Sequence, residues 1–363
     1  MKVFIITTEA SGDFLGSELL KELKKRKIFT AGVGGKLMEL NGFKSWISIE
    51  KFNTIGLFEV LIRFPKFLYL LKVVENKVRE NPPDIIITID SPSFNYRLVK
   101  KIQDLRISTQ MVHYVAPTVW AWKEYRAKIF SELYDKLFTL FEFENKYFTK
   151  FGLKTKWVGH QIFSKKIKIK KKKKIIFLPG SRETEIKKNL LLMKHIIKDI
   201  QIEFPNYKYY VLTFDHYKDL VKLILKNDKI QIISDQRQKI KIMNESFLAI
   251  AASGSVTLEL CKFKTPMVVV YDTNFLTKFI VKMLVKVKYC SLINIFFNKE
   301  IVPEFVFEKF TYDNVISEFR SLIKNKKKRS RQVEYMNLFS KKMLSCIDEN
   351  PARMLVNEIF KKK

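Results

Sequence analysis

One pattern limits the fold of this chain more than any other: short apolar runs alternate with amphipathic helical stretches. "KVFIITT" (2–8), "FTAGVGG" (29–35), "DIIITID" (84–90), "TQMVHYV" (109–115), "KLFTLF" (136–141) and "TKWVGH" (155–160) each read as strands. Several are continuous β-branched runs, as strands buried on both faces require. Between them lie helical patterns such as "LGSELLKELKKRK" (15–27), whose Leu15, Leu19, Leu20 and Leu23 share one face. Such alternation specifies parallel α/β sheets. The pattern stops at "SKKIKIKKKKK" (164–174), a basic run suited to an exposed linker, and restarts with "IIFLPGS", "YYVLTF", "IQIIS", "FLAIAAS" and "TPMVVVY". Two α/β domains are therefore expected, 1–163 and 175–340, with a last helix over 341–363 returning to the first. A length of 363 residues suits two cores, since single cores stop growing near about 250–300 residues.

Composition removes several classes of function. At 47% hydrophobic and 29% charged residues the chain is neither disordered nor membrane-spanning, and no run reaches the roughly 18 apolar residues of a transmembrane helix. The opening "MKVFIITTEASGD" meets an acid too early for a signal peptide. Cys261, Cys290 and Cys346 are scattered without histidine partners, so neither a disulfide framework nor a zinc site is expected, and the cytoplasm fits. The net charge of +31 is mostly dispersed lysine. It is read first as bulk composition and next as a match to an anionic membrane or substrate. Nucleic acid comes last, because zinc-finger spacing, RNP aromatics and zipper heptads are all missing.

Of the 11 glycines, seven gather where strands end, at Gly12, Gly32, Gly34, Gly35, Gly159, Gly180 and Gly254. Open α/β sheets bind ligands at these ends, and glycine lets backbone N–H groups come close to a ligand. "FLPGSRETEI" (177–186) is a strand, a glycine turn and a helix start, with Ser181 expected to cap the helix. Unsatisfied N–H groups and the fork of Arg182 make that turn an anion site. "AASGSVTLEL" (251–260) repeats the device with Ser253, Gly254 and Ser255, and places Glu259 about one turn into its helix to accept a ribose hydroxyl. Neither turn is a Walker loop or a dinucleotide fingerprint.

Taken together, "EASGD" (9–13), "GVGG" (32–35), "IGLFEVL" (55–61), "IDSPSFN" (89–95), "HYVAPTVWAWK" (113–123), "FE" (143–144), "GH" (159–160), "LPGSR" (178–182), "SGSVTLEL" (253–260) and "KTPMVVVY" (264–271) occur in order. Over roughly residues 1–310 this set resembles the lipid-A-disaccharide synthase family. The resemblance implies a GT-B-like fold, two Rossmann-like domains whose parallel sheets face a central cleft. It implies an inverting glycosyltransferase that joins UDP-2,3-diacylglucosamine to 2,3-diacylglucosamine 1-phosphate and releases UDP. The enzymatic alternatives are other UDP-sugar enzymes of that fold, a UDP-GlcNAc 2-epimerase or the muramyl-pathway N-acetylglucosaminyltransferase. A non-catalytic basic protein that binds membrane or nucleic acid is the alternative of another class. The chain departs from the family pattern at Ile293 in "SLIN" (291–294) and at Phe307 in "PEFVFE" (303–308), where proline and glutamine are usual.

Transfer to a hydroxyl needs a base, and a carboxylate closing a hydrophobic strand suits it, so Asp90 is the candidate, with a turn-forming carboxylate as the alternative. The nucleotide-sugar set is Gly180, Ser181, Arg182, Ser253, Gly254, Ser255, Thr257, Glu259 and Asn294. The acceptor or cleft set is Glu9, Ser11, Asp13, His113, Trp120, Trp122, Arg126 and Glu144. Within it Glu9, Ser11 and Asp13 either bind acceptor or order their loop, His113 is a cleft group or a core histidine, and the tryptophans bind or pack. No Asp-x-Asp pair is present, so neither metal nor other cofactor is expected. Expected partners are the two substrates and an anionic membrane surface, without nucleic acid; oligomerisation stays open. "IGLFEVLIRFPKFLYLLKVV" (55–74) is apolar around most of its circumference, with Pro65 expected to split it into two short helices, and "NFLTKFIVKMLVKVKY" (274–289) is similar. Either these are core helices or they lie in a membrane interface, which would make the protein peripheral on the inner face of the inner membrane.

Overall fold

The computed structural model describes residues 1–52, 59–121, 123–164, 167–226, 229–272, 278, 287–344 and 350–361, with only the backbone given for 59–63 and 344. The chain forms two compact units, Met1–Ser164 with Met343–Lys363, and Lys165–Lys342.

In the first unit, β1 (Lys2–Ile6), β2 (Phe29–Gly34), β3 (Lys44–Ser48), β4 (Ile85–Ile89), β5 (Gln110–Tyr114), β6 (Lys136–Thr139) and β7 (Lys154–Trp157) form one sheet. Its order is β3-β2-β1-β4-β5-β6-β7, with every neighbouring pair parallel. The second unit repeats the scheme with β8 (Lys174–Leu178), β9 (Lys208–Leu212), β10 (Gln231–Ile233), β11 (Leu248–Ala252), β12 (Met267–Tyr271) and β13 (Glu304–Val306), ordered β10-β9-β8-β11-β12-β13. Both are doubly wound sheets, so the α/β expectation of two Rossmann-like halves holds. β3 and β13 escaped the sequence reading. "KSWIS" and "EFV" are short, half-buried edge strands, without the long apolar run that marks β4. In a doubly wound sheet the direction of winding reverses where two neighbouring strands lead to crossovers on opposite sides, here β1/β4 and β8/β11, and ligands bind beyond the strand ends at that point.

Helices cover both sheets by placing an apolar stripe inward. α1 (Ala10–Lys25) buries Leu15, Leu19, Leu20 and Leu23, the face read from its sequence, and starts five residues earlier than the pattern suggested. α2 (Lys36–Glu39) is a single turn after β2, and α3 (Glu59–Glu80) is one helix containing Pro65. The expected break at that proline is therefore wrong. Proline removes one helical hydrogen bond at a cost of about 3 kcal/mol. Downstream, Leu70, Leu71, Val74 and Val78 are buried in the core, and several full burials at about 1.5–3 kcal/mol each outweigh it. The residues over 350–361 belong to the first unit, where helix Pro351–Ile359 lies against α1 and Arg26 donates to Asn357 over 2.5 Å.

Candidate active site

At the reversal point of the first sheet, β1 runs out at Ile6 and β4 at Ile89. Two short turns come next, Thr7–Glu9 leading to α1 and Asp90–Ser91 leading to α4 (Pro92–Lys101). Asp90 and Ser91 are both left-handed, with φ of 52° and 46°. Two consecutive non-glycine residues in that region are strained, and the proline at the start of α4 sets the helical φ immediately after them. The Asp90 amide donates to Tyr114 O across the sheet (2.9 Å), and Asn95 Nδ2 donates to Asp90 O (2.7 Å). The turn is thereby held while the carboxylate is left to point beyond the strand. Ser11 Oγ, in the first turn of α1, donates to Asp90 Oδ2 over 2.7 Å and so bridges the two turns. Burial holds the Asp90 carboxyl above the usual range, while the Ser11 hydroxyl and the Ser91 amide pull it partly back. This close approach needs Gly12: a Cβ there would collide with Thr7 Oγ1 and stand 3.2 Å from Ile89 O.

The other residues of the first set divide. Asp13 is buried and accepts from the amides of Gly35 (2.9 Å), Leu37 (3.0 Å) and Met38 (3.1 Å), so it caps α2 and orders the loop after β2. Glu9 is exposed at the N-cap of α1, beside Ser11. His113 is fully buried against the rings of Phe130 and Tyr134 with Nδ1 2.7 Å from Thr88 Oγ1, and burial lowers its pKa to about 3. It is a neutral core histidine, and its other nitrogen has no hydrogen-bond partner. Glu144 is 3% exposed and accepts from the amides of Leu140 (3.2 Å) and Phe141 (3.0 Å) and from Trp120 Nε1 (3.3 Å). Burial raises its pKa to about 7 against these bonds. Trp120 also packs edge-on to Phe143. Arg126 opens α5 (Arg126–Leu133) and reaches Ser93 Oγ at 3.4 Å. Trp122 lies outside the described residues, as do Leu57 and Phe58 of the apolar stretch and most of 274–289.

The second unit has the same geometry at β8/β11. α7 (Glu183–Glu203) follows β8 with Arg182, not Ser181, at its N-cap. The amide of Ser181 instead donates to Glu185 Oε2 (3.3 Å), and Arg182 pairs with Glu185 Oε1 (3.0 Å) with two-thirds of its side chain exposed. A serine cap is unnecessary because the glutamate inside the first turn satisfies that turn. Gly180 has φ of 131° and Gly254, between β11 and α10 (Val256–Lys262), has 154°. A Cβ on Gly254 would meet nothing within 4 Å, so the backbone there faces open space. Thr257 is buried and closes the turn by donating to Gly254 O (2.8 Å). Glu259 is raised by burial and lowered by Lys239, whose Nζ donates to Thr213 O (3.1 Å) over the Phe214 ring.

One nucleotide contact is overturned. Asn294 is fully buried: Nδ2 donates to Val302 O and to Glu304, both at 2.8 Å, and Oδ1 accepts the amides of Ile301 (2.7 Å) and Val302 (3.0 Å). With these polar atoms engaged, it ties helix Leu292–Phe297 to β13 and has nothing left for a ligand. Lys239, Glu185 and Ser91 were missed by sequence reasoning. Only Glu185 left a signal, as one of the acids in a helix's first turn. Lys239 lies on α9 (Gln236–Glu245), one helix away from the glycine motifs, and nothing local marks it. Among the described residues no cluster of metal-ligating side chains occurs.

Comparison with known proteins gives the family and the fold. The family model described as lipid-A-disaccharide synthetase matches residues 3–358. The lipid-A-disaccharide synthase of Rickettsia prowazekii (strain Madrid E) is 35% identical over 347 residues, 92% of this chain and 91% of the relative. The solved UDP-GlcNAc 2-epimerase of Neisseria meningitidis, bound to UDP-GlcNAc, superposes with a TM-score of 0.66 at 12% identity over 100% of both chains. The corresponding epimerase of Methanocaldococcus jannaschii, in complex with UDP-GlcNAc and UDP, gives 0.62 at 14% identity over 99% of each. The last two similarities concern the fold.

Proposed function

The chain belongs to the lipid-A-disaccharide synthetase family, and from that membership and the Asp90 site we propose that it is an inverting glycosyltransferase of lipid A biosynthesis. The donor is UDP-2,3-diacylglucosamine and the acceptor 2,3-diacylglucosamine 1-phosphate. The acceptor's 6-hydroxyl oxygen attacks the anomeric carbon of the donor, the bond from that carbon to UDP breaks, and Asp90 takes the hydroxyl proton. The observation that carries this role is the carboxylate itself, aimed beyond the end of β4 on a strained turn, raised by burial and steadied by Ser11. A base held above the ordinary carboxylate range takes a proton more readily at neutral pH. UDP leaves with its charge on the β-phosphate, where Arg182 and the amides of Gly254 and Ser255 receive it, the Ser253 amide being held by Val270 O (3.0 Å). Two-thirds of the Arg182 side chain is exposed, so the guanidinium is free to turn from Glu185 to a phosphate.

The acyl chains call for a peripheral membrane protein. Among the described residues no helix is long and apolar enough to cross a bilayer. Phe64, Leu68 and Tyr69 are exposed on α3 at 45%, 43% and 67%, beside Lys66, an apolar and basic face suited to an anionic interface. The inner face of the inner membrane is the matching location.

Incubation with a panel of UDP-sugars, acylated and not, with and without the acylated acceptor, tests this function. UDP release that needs both the acylated donor and the acceptor is expected. Conversion of UDP-GlcNAc without any acceptor would indicate an epimerase instead, and no turnover of the acylated pair would refute the proposal.

A further inference from the structure

Three cations gather near the start of α4, which follows the Asp90–Ser91 turn. Arg97 Nη1 donates to Ser93 O over 2.6 Å, and Arg126 Nη2 donates to Ser93 Oγ over 3.4 Å. Both guanidiniums stand within 6 Å of one ring, Tyr96, at 4.7 Å and 5.8 Å from its centre. Arg126 is 8% exposed, an unusual place for a guanidinium. Lys123 completes the group from a left-handed turn (φ 52°). Its amine is lowered chiefly by burial and further by Arg126 and Arg97, so the three charges repel one another. A dianion placed among the three would be attracted by all of them.

We propose that Arg97, Lys123 and Arg126, gathered about Ser93 and Tyr96, form the seat of a sugar-bound phosphate monoester. This rests on the proposed function, in which the acceptor is a sugar 1-phosphate. It assigns the anchoring end of that acceptor to the α4 and α5 cations, with the reacting hydroxyl left toward Asp90. A guanidinium fork recognises phosphate oxygens bidentately, and the partly buried surroundings strengthen the pairing relative to water. A lipid headgroup offers the same chemistry, so the experiment must separate the two sources.

The test uses the full chain and Arg97→Gln, Lys123→Gln and Arg126→Gln, each checked for folding by thermal unfolding. KM is measured for the acylated acceptor with and without its 1-phosphate, and binding of soluble glucosamine 1-phosphate against glucosamine is followed by NMR. The wild type should prefer the phosphorylated form of each by at least tenfold, and the variants should lose the preference through KM with kcat and UDP binding little changed. Should Arg126→Gln fail to fold, the other two carry the test. A wild type indifferent to the phosphate, or variants that keep the preference, would overturn the site. Variants that lose binding to phosphatidic acid vesicles but keep the sugar-phosphate preference would overturn it too, making the cluster a headgroup contact. If glucosamine 1-phosphate binding is present and lost in the variants while no donor releases UDP, the phosphate seat stands and the transferase reading fails.

Discussion

The turn after β4 and the turn after β11 occupy equivalent places in two similar sheets, yet they solve opposite problems. After β4, Asp90 and Ser91 adopt left-handed backbone without glycine, and hydrogen bonds from the Asp90 amide and to its carbonyl hold them there. After β11, the left-handed position is glycine, and no atom lies within 4 Å of where its Cβ would be. In the first case strain is retained so that a side chain occupies one fixed place. In the second the side chain is dispensed with so that backbone amides face open space. In the proposed mechanism the first turn supplies the reacting group and the second the cradle.

Replacing the fixed side chain should have the largest effect. Asp90→Asn keeps the shape of the turn but cannot take a proton, so turnover in a UDP-release assay should fall roughly 10²–10⁴-fold with UDP affinity unchanged. A folded variant with near-normal turnover would leave Asp90 only a turn residue. On the other side of the comparison, Arg182→Ala should weaken UDP binding by about 1.5–3 kcal/mol in calorimetry, with little change in thermal stability because two-thirds of the Arg182 side chain is exposed. Unchanged UDP affinity would remove the cradle assignment. Ser11→Ala is subtler. Losing the bond that lowers Asp90 should move the rising limb of the pH–rate profile to higher pH, without touching the nucleotide.

The smallest effect belongs to Glu144. Its folded pKa of about 7 stands above the ordinary glutamate value of 4.5, so between these values the folded chain holds a proton that the unfolded chain has lost. Stability should therefore fall as pH rises through that window, and Glu144→Gln should flatten the slope in denaturant titrations. An unchanged slope would place the titration elsewhere.

The fold was legible because buried parallel strands must be apolar on both faces, and "DIIITI" or "FLAIAA" admits few other interpretations. Asp90 and Arg182 were legible for the same reason: a charge or glycine turn where such a run stops has to lie beyond the sheet. What sequence missed depends on three-dimensional partners. Asp13 and Asn294 look like ligand-binding polar residues in their motifs, but backbone amides of α2 and of Ile301 and Val302 claim them. His113 in "HYVAP" is withdrawn among rings that lie far along the chain. Pro65 was misjudged because propensity is local while the burial of Val74 and Val78 is not.

The pH dependence of kcat/KM, measured on the wild type and on Asp90→Asn with the acylated donor and acceptor, tests the base most directly. The wild type should rise along one ionisation lying above the ordinary carboxylate range, because burial raises Asp90, and the variant should be slow and lack that limb. A limb preserved in Asp90→Asn would contradict the assignment and place the proton acceptor elsewhere in the site.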